Sequence, residues 1–249
     1  MVVMGQWHID INCDVGEGVG NEAALFPYIS SCNIACGGHA GDLETMRHIV
    51  KLAKQHHIKV GAHPSYPDRA NFGREVMDIS LQELQESIKD QLKTFTKVLQ
   101  EEQVNLHHIK AHGALYNQTA KDKALAEIYL DALTPYAKEA LLYAPFGSVF
   151  SKKAEQRGFE IWFEAFADRN YNNDLSLVSR KQPNALIQNP EEVLKHVVSI
   201  ITEGKVLAVT GEKIGIEAQT LCIHGDTASA LEILMYLSRE LPNHQVRLQ

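Results

Sequence analysis

Four histidines stand at the ends of short apolar runs. They are His39 in NIACGGHAGD, His63 in IKVGAHP, His112 in LHHIKAHG and His224 in TLCIHGD. A neutral imidazole is a common metal ligand, and it also acts as a general acid or base near neutral pH. A single strand-end histidine more often serves only to satisfy hydrogen bonds. Four at the same place in successive units favour a shared functional site.

Other polar residues lie at or beside the same strand ends. They are Asp10, Asn12, Asp14 and Glu17; Asp68 and Arg69; Lys110 and Tyr116; Glu164, Asp168 and Arg169; and Asp226. Alternation along DINCD directs Asp10, Asn12 and Asp14 to one side of a strand and the apolar residues between them to the other. Because an unpaired buried charge is costly, we expect these residues to have polar partners.

Short apolar runs alternate with longer amphipathic stretches, which is the pattern of βα units. Helix-start signals support it: Asp42 suits an N-cap, and Ser80 with Glu83 has the spacing of a capping box. A β-hairpin is predicted around TGEKIG, before the last core strand. Strands are predicted at 8–14, 30–36, 58–63, 106–112, 140–146, 160–168 and 220–226, and helices at 42–57, 80–102, 120–134, 148–157, 190–203 and 226–241.

Buried strands that each lead into a helix indicate a mostly parallel sheet. Their number predicts a TIM-barrel-like (β/α)7 barrel with a small hairpin insertion, as one domain over residues 1–249. In such a barrel the strand ends converge on one mouth, so residues far apart in sequence can share a site.

Two uses of the strand-end histidines stay open. His39, His63, His112 and His224 could hold a divalent metal that polarises a carbonyl or activates water. They could equally donate hydrogen bonds and exchange protons without a metal. The sequence has no compact motif such as HExxH to decide between the two.

Composition excludes several classes of protein. The formal net charge of -7 and the lack of a basic stripe argue against nucleic-acid binding. No membrane span and no secretory signal are recognised, so a cytoplasmic location is expected, with all four cysteines acting as buried structural thiols. The oligomeric state is left open, and a homo-oligomer is one option.

Six motifs, in order along the chain, resemble those of the LamB/YcsF family: DINCDVGEG, SCNIACGGHAGD, VGAHPSYPDRANFGRE, IKAHGALYN, EAFADRNYNNDLSLVSR and LCIHGD. The resemblance runs from Asp10 to beyond Asp226. It implies a barrel related to the glycoside hydrolase and polysaccharide deacetylase folds. It also implies a share, with the B and C subunits of a 5-oxoprolinase, in opening 5-oxo-L-proline to L-glutamate at the expense of ATP. Gly38, Glu75 and Ala111 depart from the usual family residues and bear on the shape of the pocket.

Roles for the strand-end residues follow from that implied reaction. Asp14 or His112 would be the general base, while Lys110 and Arg169 would hold phosphate or the substrate carboxylate. The catalytic candidates are Asp14, Glu17, Lys110 and His112. The substrate-binding candidates are Asn12, His39, His63, Arg69, Tyr116, Asp168, Arg169, His224 and Asp226.

The chain has neither GxxxxGK[ST] nor a GxGxxG after a strand. Either this chain binds ATP in an unconventional way, or the partner subunits carry out the phosphorylation. Two other functions also stay open. One is a metal-dependent deacetylase or amidohydrolase that acts alone on a sugar or small amide, and the other is a subunit that only binds a small acid.

Overall fold

Seven parallel strands close into a barrel in the computed structural model, which describes residues 6–249. The strands of the molecule are β1 (Trp7–Val15), β2 (Ser31–Ala35), β3 (Lys59–His63), β4 (His108–Ile109), β5 (Leu141–Pro145), β6 (Ile161–Phe166), β7 (Lys205–Leu207), β8 (Lys213–Gly215), β9 (Thr220–Cys222) and β10 (Val246–Leu248). β1 pairs in parallel with β2 on one side and with β9 on the other, so the sheet closes on itself. The predicted (β/α)7 barrel is confirmed.

Helices alternate with the strands and pack their apolar faces against the barrel. The α-helices are α1 (Glu22–Leu25), α2 (Leu43–Gln55), α3 (Leu81–Glu102), α4 (Gly113–Thr119), α5 (Lys123–Leu133), α6 (Val149–Gln156), α7 (Pro190–Val198) and α8 (Ala230–Glu240); 3-10 turns lie at Phe26–Tyr28, Thr134–Tyr136 and Leu241–His244, and a π-helix at Ser199–Glu203. Asp42 caps α2 by accepting the Thr45 N–H at 2.8 Å, and Ser80 with Glu83 forms the predicted capping box at α3. Within residues 6–249 no helix combines the length and apolarity that a membrane span requires.

The predicted hairpin is confirmed, since β7 and β8 pair antiparallel with Val206 opposite Ile214. Three details differ from the sequence prediction. β4 has only two residues, and the short helix α4 had no predicted counterpart, whereas the helix predicted at 120–134 is present as α5. β10 had no predicted counterpart; it pairs in parallel with the start of β1. A three-residue strand is too short for hydrophobic periodicity to reveal it.

The barrel interior is polar around β1. On β1, the apolar residues Ile9, Ile11 and Cys13 belong to the hydrophobic core, as the alternation predicts. Asp10 and Asn12 face the other way and are completely buried. The Asp10 carboxylate accepts hydrogen bonds from two hydroxyl groups of neighbouring strands, so the expected polar partners are present.

Candidate active site

The centre of the site is the ammonium group of Lys110, which follows β4 and is 2% exposed. Its Nζ lies 2.9 Å from Glu164 Oε1 on β6 and 3.0 Å from Asp14 Oδ1 on β1. Burial by itself lowers the pKa of Lys110, but the nearby negative groups, Asp14 first, hold it well above its usual value. Lys110 is therefore a permanent buried cation between two acids.

Asp14 is held in place by several partners. Its Oδ1 accepts from Lys110 and, at 2.8 Å, from Asn33 Nδ2, while its Oδ2 lies 3.4 Å from His63 Nε2. Burial works to raise the pKa of Asp14, but His63 and Lys110 outweigh burial and hold this pKa well below its usual value. Asp14 is therefore ionised at neutral pH.

A second layer of buried side chains holds the acids of the site in place. Asn12 Nδ2 donates to Glu164 Oε1 at 3.0 Å, and Asn33 Nδ2 donates to Asn12 Oδ1 at 2.7 Å. His108 Nε2 donates a hydrogen bond to Asn33 Oδ1 at 2.6 Å. These buried amides orient the acids of the site, and they leave little freedom for Asp14 and Glu164 to turn.

Three of the four strand-end histidines form one cluster. The His39 and His112 rings stack with centroids 3.6 Å apart, and His63 meets His112 edge-on with its Nε2 3.0 Å from His112 Nδ1. Glu17 joins them, since its Oε1 lies 2.9 Å from His39 Nε2 and 3.3 Å from His112 Nδ1. Burial lowers the pKa of His39 to about 4 and also lowers that of His112, so both rings are neutral at pH 7.

His224 lies apart from that cluster. Its Nδ1 donates to Asp168 Oδ1 at 2.9 Å, and its backbone N–H donates to Asp168 Oδ2 at 3.1 Å. Burial raises the pKa of Asp168, but His224 more than offsets this effect and the pKa is lowered. Asp168 therefore positions His224, whose ring borders the cavity described next.

A cavity of about 850 Å³ opens over these groups. The predicted residues that line it are Asp14, Glu17, His63, Lys110, His112, Tyr116, Arg169, His224 and Asp226. Two buried polar atoms that border it, Tyr116 Oη and Glu164 Oε2, have no hydrogen-bond partner within residues 6–249. Burial, with the nearby Glu164 carboxylate, raises the pKa of Tyr116 well above its usual value, so Tyr116 Oη and Glu164 Oε2 are close neighbours with hydrogen-bonding capacity left over at the wall of the cavity.

Several residues that were predicted to bind substrate make contacts elsewhere in the protein. Arg69 is exposed and outside the cavity lining; its guanidinium donates to the Gly37 and Gly41 carbonyls. Arg169 borders the cavity, but its guanidinium donates to the carbonyls of Val178 at 2.6 Å and Ala185 at 3.2 Å. Asn12, His39 and Asp168 lie behind the lining and support residues that form it.

No role was predicted for Glu164, Arg74 or Arg180. Glu164 stands at the end of β6, and its alternation with Phe163 and Ala165 is a signal that points it inward. Arg74 pairs with Asp226 at 2.6 Å and Arg180 approaches the same carboxylate at 3.8 Å. Both arginines lie in loops, where sequence periodicity does not predict the direction in which a side chain points.

A metal ion requires several ligand atoms close together. One atom each from Asp14, Glu17, His63 and His112 lie within 4.8 Å of one another, and so do atoms of Asp14, Cys222 and His224. The four histidines predicted as metal ligands therefore do not form a single set, because His224 is separated from His63 and His112. The residue types and burial of the first group fit a divalent cation.

Comparisons with known proteins agree on one family. The model of the LamB/YcsF family matches residues 9–249. The chain is 43% identical to the A subunit of 5-oxoprolinase from Tolumonas auensis over 90% of this chain and 91% of that protein. It is 43% identical to the same subunit from Shouchella clausii over 96% of each.

Solved structures show the same fold. The lactam utilization protein from Thermus thermophilus superposes with a TM-score of 0.90 at 33% identity, covering 97% of this chain and 99% of that chain. A GH18 chitinase from Pseudoalteromonas aurantia superposes with a TM-score of 0.51 at 7% identity, covering 92% of this chain and 99% of that chain, which shows likeness of fold alone.

Proposed function

The chain belongs to the LamB/YcsF family, and from that premise we propose that it is the subunit of a 5-oxoprolinase in which 5-oxo-L-proline is opened to L-glutamate, coupled to ATP hydrolysis with B and C subunits. Two relatives that are 43% identical are named as the A subunit of 5-oxoprolinase, and a structure that is 33% identical bears the name lactam utilization protein. The observation that carries the proposal is the buried Lys110 ammonium between Asp14 and Glu164 at the base of a cavity.

The chemistry requires activation of a stable amide. We propose that the lactam carbonyl oxygen attacks the γ-phosphorus of ATP and releases ADP. Water then adds to the activated ring carbon, and the carbon–nitrogen bond of this adduct breaks as the nitrogen takes up a proton, which leaves the side-chain carboxyl group as an acyl phosphate. A second water attacks the acyl phosphate and releases inorganic phosphate, so that 5-oxo-L-proline, ATP and two waters give glutamate, ADP and phosphate. Lys110 is aimed at the oxygen on which negative charge develops, and loss of such a donor typically slows turnover about a hundredfold or more.

The attacking water would lie between His63, His112 and Asp14. His112 is the better proton acceptor of the two predicted bases, because Asp14 is held ionised by Lys110 and His63 and is a weak base. His112 Nε2 faces the Phe72 carbonyl at 3.0 Å and must carry a hydrogen, so Nδ1 keeps its lone pair. Glu17, which contacts both His39 and His112, would stabilise the proton once it has moved.

The unpartnered atoms of the cavity suggest how the substrate binds. Glu164 Oε2 can accept the lactam N–H, and Tyr116 Oη can donate to the substrate carboxylate. Arg74 and Arg180 at the mouth supply positive charge that favours an anionic substrate. Arg169 contributes less directly, because it already donates to two backbone carbonyls.

Two routes for ATP remain within the proposal. Since the sequence carries no conventional nucleotide loop, ATP either binds this chain at another type of site or is used by the B and C subunits. Equilibrium binding of ATP to the isolated chain separates the two. We place the reaction in the cytoplasm, where free thiols such as the four buried cysteines stay reduced.

The decisive experiment measures glutamate formation and ATP hydrolysis with this chain, the B and C subunits, 5-oxo-L-proline and ATP. We expect turnover only when all three proteins are present. Lys110→Met should reduce it about a hundredfold or more, whereas Lys89→Met, which removes an exposed lysine of α3, should not. Tyr116→Phe serves as a second variant if Lys110→Met does not fold. Full turnover by Lys110→Met, a native kcat/KM for Tyr116→Phe, or turnover without this chain contradicts the proposal.

A second candidate is a metal-dependent amidohydrolase or deacetylase that acts alone. The group of ligand atoms from Asp14, Glu17, His63 and His112 favours it. Hydrolysis of small amides or acetylated sugars by the isolated chain without ATP, and its loss on treatment with a chelator, would support this function. Binding of 5-oxo-L-proline with no turnover in the complete mixture would instead indicate a subunit that only binds the acid.

A further inference from the structure

Two buried ring nitrogens of the cluster, His63 Nε2 and His112 Nδ1, face each other. His63 Nδ1 lies 2.8 Å from the Lys110 carbonyl, and His112 Nε2 lies 3.0 Å from the Phe72 carbonyl. A carbonyl oxygen only accepts, so each of these nitrogens carries a hydrogen. A histidine binds a metal ion through its unprotonated nitrogen, so His63 Nε2 and His112 Nδ1, 3.0 Å apart, are the atoms through which these rings can bind a cation.

Two carboxylate groups lie beside the same two ring nitrogens. Asp14 Oδ2 lies 3.4 Å from His63 Nε2, and Glu17 Oε1 lies 3.3 Å from His112 Nδ1. The side chains of these four residues are at most 10% exposed, so water screens the arrangement poorly. Two carboxylates and two ring nitrogens that converge in a buried place are stabilised by a positive charge among them, whether a proton or a metal cation.

The spacing matches a four-coordinate ion. Bonds of about 2.0–2.1 Å in a tetrahedral site place neighbouring ligand atoms roughly 3.4 Å apart. The three neighbouring separations here are 3.0, 3.3 and 3.4 Å. The other three separations lie within 4.8 Å, so the four ligand atoms must draw together by up to about an ångström to surround an ion.

The surroundings also match those of known metal-binding histidines. Such a histidine usually donates its other ring N–H to a carbonyl or carboxylate, which fixes the ring and its tautomer. His63 and His112 both do so, toward the carbonyls of Lys110 and Phe72. His39 Nε2 lies 2.9 Å from Glu17 and orients that carboxylate in the same way.

We propose that Asp14, Glu17, His63 and His112 form a binding site for one divalent transition-metal ion of the Zn²⁺ type. Two imidazoles and two carboxylates suit Zn²⁺, Co²⁺ or Ni²⁺ better than Mg²⁺ or Ca²⁺, which prefer all-oxygen sites. Of the histidines predicted as ligands, His39 supports the site and His224 stays bound to Asp168. With four protein ligands the ion has no open position for water and occupies the His112 Nδ1 lone pair, so the base role of His112 in the proposed function belongs to the ion-free chain. Ion binding itself does not rest on the proposed function.

The test uses the isolated full-length chain, freed of metal by a chelator and then desalted. Titration with ZnCl₂ by calorimetry should give one ion per chain, and CoCl₂ should produce the visible absorption of a four-coordinate cobalt ion. His63→Asn and Glu17→Gln should each weaken Zn²⁺ binding at least about tenfold. The matched control is His196→Asn, because His196 also contacts a backbone carbonyl, that of Phe166, but is outside the group.

Circular dichroism of each variant identifies any that fails to fold, and Glu17→Gln stands in for His63→Asn in that case. Absence of stoichiometric binding, or equal affinity in the ligand variants and the native chain, overturns the site. The assay is independent of oxoproline turnover. Metal binding without turnover defeats the proposed function and leaves the site, and turnover by a chain that binds no metal defeats only the site.

Discussion

Lys110 Nζ lies 2.9 Å from Glu164 Oε1, and both side chains are almost completely removed from solvent. Asp14 on the opposite side of the ammonium makes the group a buried cation between two buried anions. Breaking such an arrangement leaves uncompensated charge in the interior, which is a larger effect than the pair's own net contribution to stability. The same contact therefore links the stability of the barrel to the chemistry of the cavity.

We predict that Lys110→Met lowers the free energy of unfolding by about 3–5 kcal/mol, because Asp14 and Glu164 then face each other without a cation. Urea unfolding at pH 7 measures it. Lys89→Met, at an exposed lysine paired with Glu86 on α3, should change stability by less than about 0.5 kcal/mol. Equal stability of both variants would mean that Lys110 is not an essential counter-charge.

Tyr116→Phe should weaken substrate binding without destabilising the protein. Tyr116 lines the cavity, and its Oη makes no close hydrogen bond within residues 6–249; burial and the nearby Glu164 carboxylate raise its pKa, so its removal should cost the folded state little. Loss of one hydrogen bond to substrate should raise KM for 5-oxo-L-proline roughly tenfold.

The matched control is Tyr129→Phe. Tyr129 Oη is also buried and lacks a partner in the described chain, but Tyr129 lies on α5 and outside the cavity lining. Steady-state kinetics on both variants, with thermal unfolding beside them, give the comparison. An unchanged KM in Tyr116→Phe, or an equal rise in Tyr129→Phe, would remove Tyr116 from the substrate site.

Gly61→Ala should reduce both stability and turnover. A Cβ on Gly61 would overlap the His108 ring at Nε2, so the buried ring must move. His108 donates to Asn33, and Asn33 in turn donates to Asp14 Oδ1, so displacement of the ring disturbs the position of the Asp14 carboxylate. We expect a loss of about 1–3 kcal/mol.

Gly215→Ala is the control for that change. Gly215 also lies on a strand, β8, and nothing stands within 4 Å of an added Cβ. Urea unfolding gives the stability of the two variants, and their rates of turnover are compared with that of the native chain. If Gly61→Ala keeps native turnover while losing stability, then the contact from His108 to Asn33 does not position Asp14.

Much of this site could be predicted from sequence because strand ends in a parallel barrel meet at one edge. That rule brought His39, His63 and His112 together, with Lys110 beside them. It also directed Asp14 inward, because side chains alternate along β1. These features depend on backbone periodicity, which the order of apolar and polar residues records.

The remaining features of the site depend on the directions of loop side chains and on histidine tautomers, which sequence periodicity does not predict. Arg69 was expected at the substrate, but in its loop it turns toward the Gly37 and Gly41 carbonyls. The tautomers of His63 and His112 are set by the carbonyls that each ring meets after folding. A set of ligand atoms can therefore be recognised only once these contacts are known.

The last prediction concerns acid stability and His107, which precedes β4 and is partly buried. Burial, with a smaller effect from the charge of Lys59, lowers the pKa of His107 to about 4, whereas an unfolded histidine titrates near about 6.5. Between these two values the unfolded chain binds more protons than the folded one, so the free energy of unfolding falls as the pH is lowered through this window.

His107→Gln removes the contribution of His107 to this pH dependence and should give a shallower slope of unfolding free energy against pH from about 6.5 to about 4. His48→Gln, at an exposed position on α2, controls for loss of a histidine as such. Urea unfolding at several pH values provides the slopes, and identical slopes for native and His107→Gln chains would show that His107 is not held neutral by the fold.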